Sequence, residues 1–293
     1  MKEIIILGAQ NYEAPKHSNY GDCILINTGS ELIIYDCGSK EHAETVMSYM
    51  KKNNFTQAKL ILSHNDSDHF NGIPTLLENN KLSSIRTVLL LKYKDDILKR
   101  IDDKRKTRES VSKQILEKYD NIAKLSGENL EDIYESPSSI TTEVSIVGPN
   151  KDYMLDTVAK RLDGREGNTV DGETAVNATS IQLSITLNSH KILLCGDCSF
   201  AAIEDKINNY DVIQLPHHGK SVQATKIFEA KSNSIDDIYI VSDNTGGSNG
   251  GSDDLDTTGH IVYNTKNNDN IKINSLFFSK NSSSAKTGIF LGV

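Results

Sequence analysis

The six residues His64-Asn65-Asp66-Ser67-Asp68-His69 constrain this chain more than any other stretch. They follow directly on the apolar run Leu60-Ile61-Leu62 and are followed by Gly72 and Pro74. Lys59 to Leu62 reads as a short buried strand, so two imidazoles and two carboxylates are crowded onto the turn at its end. Charged groups at such a place are costly unless something pairs with them. A divalent cation is the simplest partner, because imidazole and carboxylate are ligand types that suit zinc, manganese and iron. Surface turns are rich in Asp, Asn and Ser for conformational reasons alone. Two His and two Asp alternating this closely behind an apolar strand go beyond that background.

The rest of the chain repeats the theme of chemistry at strand ends. Short β-like apolar runs fall at 2–7, 22–28, 31–36, 59–63, 86–91, 142–147, 181–187, 191–195, 211–215, 237–242, 260–264, 271–278 and 287–291. Asn27-Thr28-Gly29-Ser30 and Leu187-Asn188-Ser189-His190 supply turn residues between neighbouring runs. Helical spacing is clearest at 41–52, with shorter candidates at 69–79 and 199–207. Many strands with interspersed helices predict stacked sheets covered by helices, an α+β chain. Residues 94–135 stand apart. They are dense in charge and place Ile97, Ile101, Val111, Ile115, Tyr119, Ile122 and Leu125 at near-helical spacing. This predicts a charged helical insertion within a single domain spanning 1–293. The basic sub-run 99–108 reads first as a solvated helix face, with a cap that leads phosphates toward a metal site as the functional alternative. Asp243 to Thr258, rich in Gly, Ser, Asn and Asp, reads as a mobile loop and a possible lid.

Composition sets outer bounds. The chain has 293 residues, 37% hydrophobic and 25% charged, ordinary proportions for a globular protein. No apolar run reaches the ~18 residues of a spanning helix, and the start is too short in apolar residues for a signal peptide. The expectation is a cytoplasmic protein without membrane contact. A net charge of −8 argues against a long sequence-independent grip on duplex DNA, although bound metal would supply local positive charge. Cys195 and Cys198 match Cys-x-x-Cys, but the end of an apolar strand suits Cys as a small hydrophobe, as it does Cys23.

His64-x-Asp66-x-Asp68-His69 resembles the His-x-His-x-Asp-His signature of the metallo-β-lactamase superfamily, with Asp66 in place of the second His. That variant looks like the branch containing the C-terminal domain of ComEC-type DNA-uptake proteins. Gly21-Asp22 to Ile26 with Leu32 to Gly38 looks like the family's opening hairpin. Asn177 to Ser180, Gly196-Asp197, His217-His218-Gly219 and Gly259-His260 resemble its later segments, in order. The resemblance implies a metallo-β-lactamase-like αββα sandwich and a metal-dependent hydrolase. There are two departures. The usual third-motif His is absent, with Asn177 near its place, and the usual Ser after His-His-Gly is Lys220.

From these residues the expected site holds two divalent metals, zinc or manganese. His64 and Asp66 take the first, Asp197 resembles the bridging carboxylate, and Asp68 and His69 take the second with one of His217, His218 or His260. Adjacent His217 and His218 rarely serve one ion, so one is expected to ligate and the other to contact substrate or donate a proton. Asp68, His218 and Lys220 are the candidates for catalysis, and Asn177 and Lys220 for substrate contact, Lys220 as a point charge on phosphate. Asp22 and Asp36 read first as turn residues, with Asp36 alternatively orienting a ligating His. His17, His42 and His190 lie away from every motif and read as surface residues. The favoured activity is phosphodiester hydrolysis in a nucleic acid or nucleotide. Hydrolysis of carboxylic esters or lactones is the second reading, and a non-catalytic binding module with a degenerate metal site the third.

Overall fold

The computed structural model describes residues 2–13, 18–125, 127, 129–164, 169–234, 236–246 and 251–279. Two mixed sheets flanked by helices form the molecule. The first comprises β1 (Glu3–Ile6), β2 (Ile24–Asn27), β3 (Leu32–Tyr35), β4 (Ala58–Ile61), β5 (Leu82–Thr87) and β6 (Leu130–Asp132) in spatial succession, with β15 (Ile271–Ile273) beside β1. The second runs β14 (Ile261–Asn264), β13 (Ile238–Val241), β12 (Val212–Gln214), β11 (His190–Leu194), β10 (Gln182–Leu187), β7 (Val144–Gly148). A small ribbon of β8 (Thr169–Val170) and β9 (Glu173–Thr174) stands apart. This is the expected stacked-sheet α+β architecture.

Strand chemistry explains the stacking. In β11 to β13, Ile192, Leu194, Val212, Ile238 and Ile240 join the large core shared with the first sheet. Their alternates Leu193, Cys195, Ile213, Leu215, Tyr239 and Val241 join a second core with Ala224, Ile227 and Phe228 of helix Ser221–Ala230. Successive strand residues point to opposite faces, so a strand buried on both sides reads as an unbroken apolar run. All four cysteines are unpaired and buried, and burial pushes the Cys23 and Cys198 thiols up. They sit among apolar neighbours as small hydrophobes.

Helix α1 (Lys40–Lys52) fulfils the 41–52 expectation, with Ser39 capping the His42 amide and Ala43, Val46 and Met50 buried. The run 69–79 divides into α2 (Ser67–Phe70) and α3 (Ile73–Glu78) at Gly72, where a Cβ would fall 2.2 Å from Ser39 O. Residues 199–207 form only short 3₁₀ turns. The run 86–91 is displaced, because Leu90–Tyr93 is a 3₁₀ turn after β5. The run 271–278 is strand only to Ile273, and 287–291 lies outside the described residues.

The insertion is helical at α4 (Lys94–Arg100), α5 (Arg108–Lys118) and α6 (Asp120–Lys124), and Ile97, Ile101, Val111, Ile115, Tyr119, Ile122 and Leu125 are all buried. Its end departs from expectation: Leu130–Asp132 pairs with β5 as an edge strand. Two further helices, outside the expected set, are α7 (Lys151–Asp163) and α9 (Ser221–Ala230), beside the short α8 (Ala175–Ala178) and α10 (Thr265–Asn268). Among the described residues no helix is long and apolar enough to cross a membrane.

Candidate metal centre

Parallel strands β3 and β4 of the first sheet and β11, β12 and β13 of the second direct their C-terminal ends to one edge of the sandwich. Asp36 follows β3, Ser63 and His64 follow β4, Asp197 follows β11, His217 and His218 follow β12, and Ser242 follows β13. Asp22 joins them because β2 is antiparallel to β3 and so begins at that edge. The Tyr35 hydroxyl ties the two sheets there, donating to Ile181 O at 2.6 Å.

The metal loop is fitted closely against the opening hairpin. Asp22 N donates to Asp68 O at 3.0 Å. Gly21, at φ 62°, makes room for that carbonyl, since a Cβ would stand 1.6 Å from it. Asn65 pins the insertion to the loop: its side chain donates to Lys118 O at 3.1 Å and accepts from Ile122 N at 3.0 Å.

The four histidines at this edge follow one pattern. His69 Nδ1 meets Asp36 Oδ2 at 2.8 Å, His218 Nδ1 meets Ser242 O at 2.9 Å and Asp22 Oδ1 at 3.1 Å, and His217 Nδ1 meets Glu173 Oε2 at 2.5 Å. His64 Nδ1 meets Ser63 Oγ at 2.9 Å. Because Ser63 Oγ donates to Asp36 Oδ2 at 2.6 Å, it accepts from His64. Each ring is therefore held by Nδ1–H and turns its Nε2 inward. Asp197 lies where they converge. Its Oδ1 is 3.4 Å from His69 Nε2, and its Oδ2 is 3.8 Å from His64 Nε2, 3.8 Å from His217 Nε2 and 3.9 Å from His218 Nε2. Asp66 Oδ2 approaches His64 Nε2 at 3.7 Å, and Asp68 Oδ2 approaches His218 Nε2 at 3.3 Å.

These residues fit divalent metal. His64 Nε2, His69 Nε2 and Asp197 Oδ1 are buried without a hydrogen-bond partner, a rare state for native polar atoms and one that a bound cation would resolve. Backing of a ligating His by a carboxylate or carbonyl is the usual arrangement around bound metal. Among the described residues, three groupings bring ligand atoms within 4.8 Å of one another: His64, His69 and Asp197; Asp68, His69 and His218; and Asp22, Asp197 and His218. Without metal, these rings and carboxylates pair as opposite charges. Burial opposes charge on His69 and His218, yet Asp197 and the carboxylate behind each ring raise both pKa values well above the ordinary imidazole value. Burial likewise works against Asp197, and the surrounding imidazoles hold it well below the usual carboxylate range.

Several expected residues are placed elsewhere. His260 is not at the centre. It precedes β14, which is parallel to β13, so it falls at the opposite edge of the sheet, stacked on Phe228 at 3.8 Å. Lys220 directs its ammonium to Glu173 Oε1 at 2.9 Å and to Gly172 O at 3.3 Å, which engages it with the protein. Asn177 fixes a turn: it accepts from Thr174 Oγ1 at 2.6 Å, and its amide donates back to that oxygen. His42 is wholly buried on the inner face of α1, and burial lowers its pKa to about 4. His190 is partly exposed against Phe278, and His17 lies outside the described residues.

Four of the six bases of the run 99–108 are ion-paired, Arg100 with Asp152 and Asp156, Lys99 with Asp96, Arg105 with Asp103 and Arg108 with Asp95. The start of the 243–258 loop is pinned, with Asp243 accepting from Ser252 N at 3.0 Å and Ser252 Oγ at 2.6 Å, while 247–250 lie outside the described residues. Sequence reasoning misses Glu173 and the orienting role of Asp22. The positions give no local signal, since each is recognisable only by the distant His it touches.

A two-sheet sandwich with histidines and carboxylates gathered at one edge defines a metallohydrolase-type site. The metallo-beta-lactamase superfamily matches residues 19–242, and the chain belongs to it. Members of that superfamily are metal-dependent hydrolases. Among solved structures, the metallo-beta-lactamase fold protein YhfI from Bacillus subtilis is similar over 93% of this chain and 99% of its own, at 13% identity and a TM-score of 0.51. A diphosphatase of the PhnP family aligns over 93% and 97% at 10% identity and a TM-score of 0.46. Zn(2+)-bound PqqB from Methylobacterium extorquens aligns over 93% and 99% at 11% identity and a TM-score of 0.45. At these identities the likeness concerns the fold alone. No curated protein matches the sequence.

Proposed function

We propose that the chain is a metal-dependent phosphodiesterase acting on nucleic acid or nucleotides through two divalent metals, zinc or manganese. The observation that carries this reading is the common posture of the histidines, each held through Nδ1 and each presenting Nε2 toward Asp197. Metals bound there supply a nucleophile at neutral pH and polarise the bond under attack. His64 and Asp66 would hold the first, Asp68, His69 and His218 the second, with Asp197 between them. Asp66, with its side chain 44% exposed, and Asp68, at 20%, border the open side from which substrate arrives. Asn19 Nδ2 donates to Asp68 Oδ2 at 3.0 Å and keeps that carboxylate oriented. Asp36, Asp22 and Ser63 fix the protons on Nδ1 and so the tautomers.

The substrate class rests on the oxygen-rich donor set, which suits metals used in phosphoryl chemistry. The basic run, with four of its six bases ion-paired to nearby acids, gives it little support.

The test is metal content by mass spectrometry alongside cleavage of single-stranded DNA, RNA and small cyclic or linear nucleotides in added manganese or zinc. Chelator-sensitive hydrolysis of bis-p-nitrophenyl phosphate but not p-nitrophenyl acetate is expected. The reverse preference establishes ester chemistry, and absence of bound metal establishes the binding-module reading.

A further inference from the structure

The chain lacks the third-motif histidine, and Asn177 near that place is occupied with Thr174. The first metal position is therefore short of a nitrogen donor. We propose that His217, aimed by the buried carboxylate of Glu173, completes this position, so that the adjacent histidines His217 and His218 serve different metals. The proposal rests on the two-metal reading and assigns a ligand and a positioning residue within it.

The donor geometry supports it. Asp197 Oδ2 lies 3.8 Å from both His64 Nε2 and His217 Nε2, and Asp66 Oδ2 lies 3.7 Å from His64 Nε2. Donors of a tetrahedral metal at about 2.0–2.2 Å stand about 3.3–3.6 Å apart. The observed spacings exceed that by a few tenths of an ångström. His218 Nε2 is 3.9 Å from the same Asp197 oxygen, so the two histidines are told apart by their other neighbours: His218 groups with Asp68 and His69, while among the described residues His217 joins no such grouping. The rings of His217 and His218 are 5.9 Å apart between centroids and inclined at 73°, so they address separate points.

The backbone makes this divergence possible. His217 and His218 both adopt left-handed conformations, φ 52° and 55°, before Gly219 at 81°. For residues with a Cβ this conformation crowds the following carbonyl and is disfavoured, and strain of this kind is kept where a site depends on it.

Glu173 is 1% exposed. It lies on the β8–β9 ribbon, between His217 Nδ1 at 2.5 Å, Lys220 Nζ at 2.9 Å and Gln223 Nε2 at 3.2 Å. It does for His217 what Asp36 does for His69 and Asp22 for His218. Lys220, which stands where the family has Ser, offsets the charge of that buried carboxylate.

The experiment loads metal-free full-length protein with cobalt(II) or zinc and reads stoichiometry, affinity and the cobalt absorption spectrum. Wild type is expected to bind two metals and His217→Ala one. His217→Cys is expected to bind two and to gain a thiolate-to-cobalt charge-transfer band. Glu173→Gln is expected to keep two metals while weakening one about 10–100-fold. If His217→Ala does not fold, the cysteine and glutamine variants decide the matter. Two metals at wild-type affinity in His217→Ala, no thiolate band in His217→Cys, or unchanged affinity in Glu173→Gln overturns the assignment. Wild type without metal overturns it together with the hydrolase reading. Two metals in wild type and one in His217→Ala, with no phosphodiester cleavage, leave it standing and overturn the substrate class alone.

Discussion

The metal loop at 64–69 and the His-His turn at 217–219 sit at equivalent places, each after a parallel strand, yet they deliver their donors in opposite ways. The loop uses ordinary backbone: Asp66 is extended, and a single right-handed turn of α2 places Asp68 and His69 on the inner side. Its donors are sequence neighbours. The turn instead uses two left-handed residues, and the carboxylates that orient its rings come from 44 and 196 residues away. Proximity in sequence yields donors at little conformational cost. Splitting adjacent side chains between two positions requires strain, and the surrounding fold must sustain it.

The comparison can be broken most severely at the residue the two regions share. Asp197→Ala removes the carboxylate that faces all four rings. Loss of both metals and of all hydrolysis is the expected outcome, read by mass spectrometry and turnover. A variant that retains two metals would deny Asp197 the central place. Next come the orienting carboxylates. Asp36→Asn and Asp22→Asn should each weaken metal binding about 10–100-fold. Asp36→Asn should have the larger effect, because Asp36 also holds Ser63 N and Oγ, each at 2.6 Å. Competition against a chelator of known affinity checks the order.

Acidity provides a further contrast. The raised pKa values of His69 and His218 mean that, in metal-free protein, their pairs with carboxylates contribute stability that is fully present below the unfolded value of about 6.5. That stability is lost as pH rises through the folded values. Metal needs neutral imidazoles, so its affinity rises over the same window. Thermal midpoints of loaded and metal-free protein should diverge as pH increases above about 6.5, and parallel curves would contradict this. Gly219→Ala should destabilise by about 1–2 kcal/mol or more. Its φ is 81°, and a Cβ would lie 2.8 Å from Val241 Cγ1. Denaturant midpoints measure the effect. The smallest change is expected in the insertion: Arg100→Ala and Arg108→Ala should leave turnover within about twofold, because bases already ion-paired at the surface add little field at the site.

Much of the scaffold is legible from pattern. The hairpin turn falls where Asn188 and Ser189, both left-handed, join β10 to β11, and the apolar positions of the insertion are buried as spaced. The misreadings have physical causes. Leu89-Leu90-Leu91 looks like a strand, but after β5 the chain turns in a 3₁₀ helix, a difference the apolar composition does not encode. Lys151–Asp163 buries Met154, Leu155, Val158 and Leu162 at helical spacing behind the cap residue Asn150, a pattern the sequence does carry.

The clustering of His64, Asp66, Asp68 and His69 as candidate donors was legible in the sequence alone, because such a cluster behind an apolar strand is costly until a cation pairs with it. His260 marks where the same reasoning fails: a Gly-His pair near a strand looks alike at either end, and only strand direction tells that it lies at the far edge. Glu173, Asp22 and the division of His217 from His218 were decided by tertiary structure. A hydrogen bond from Nδ1 to a carboxylate far along the chain leaves no periodic trace, and a left-handed turn at non-glycine residues is held in place by what surrounds it.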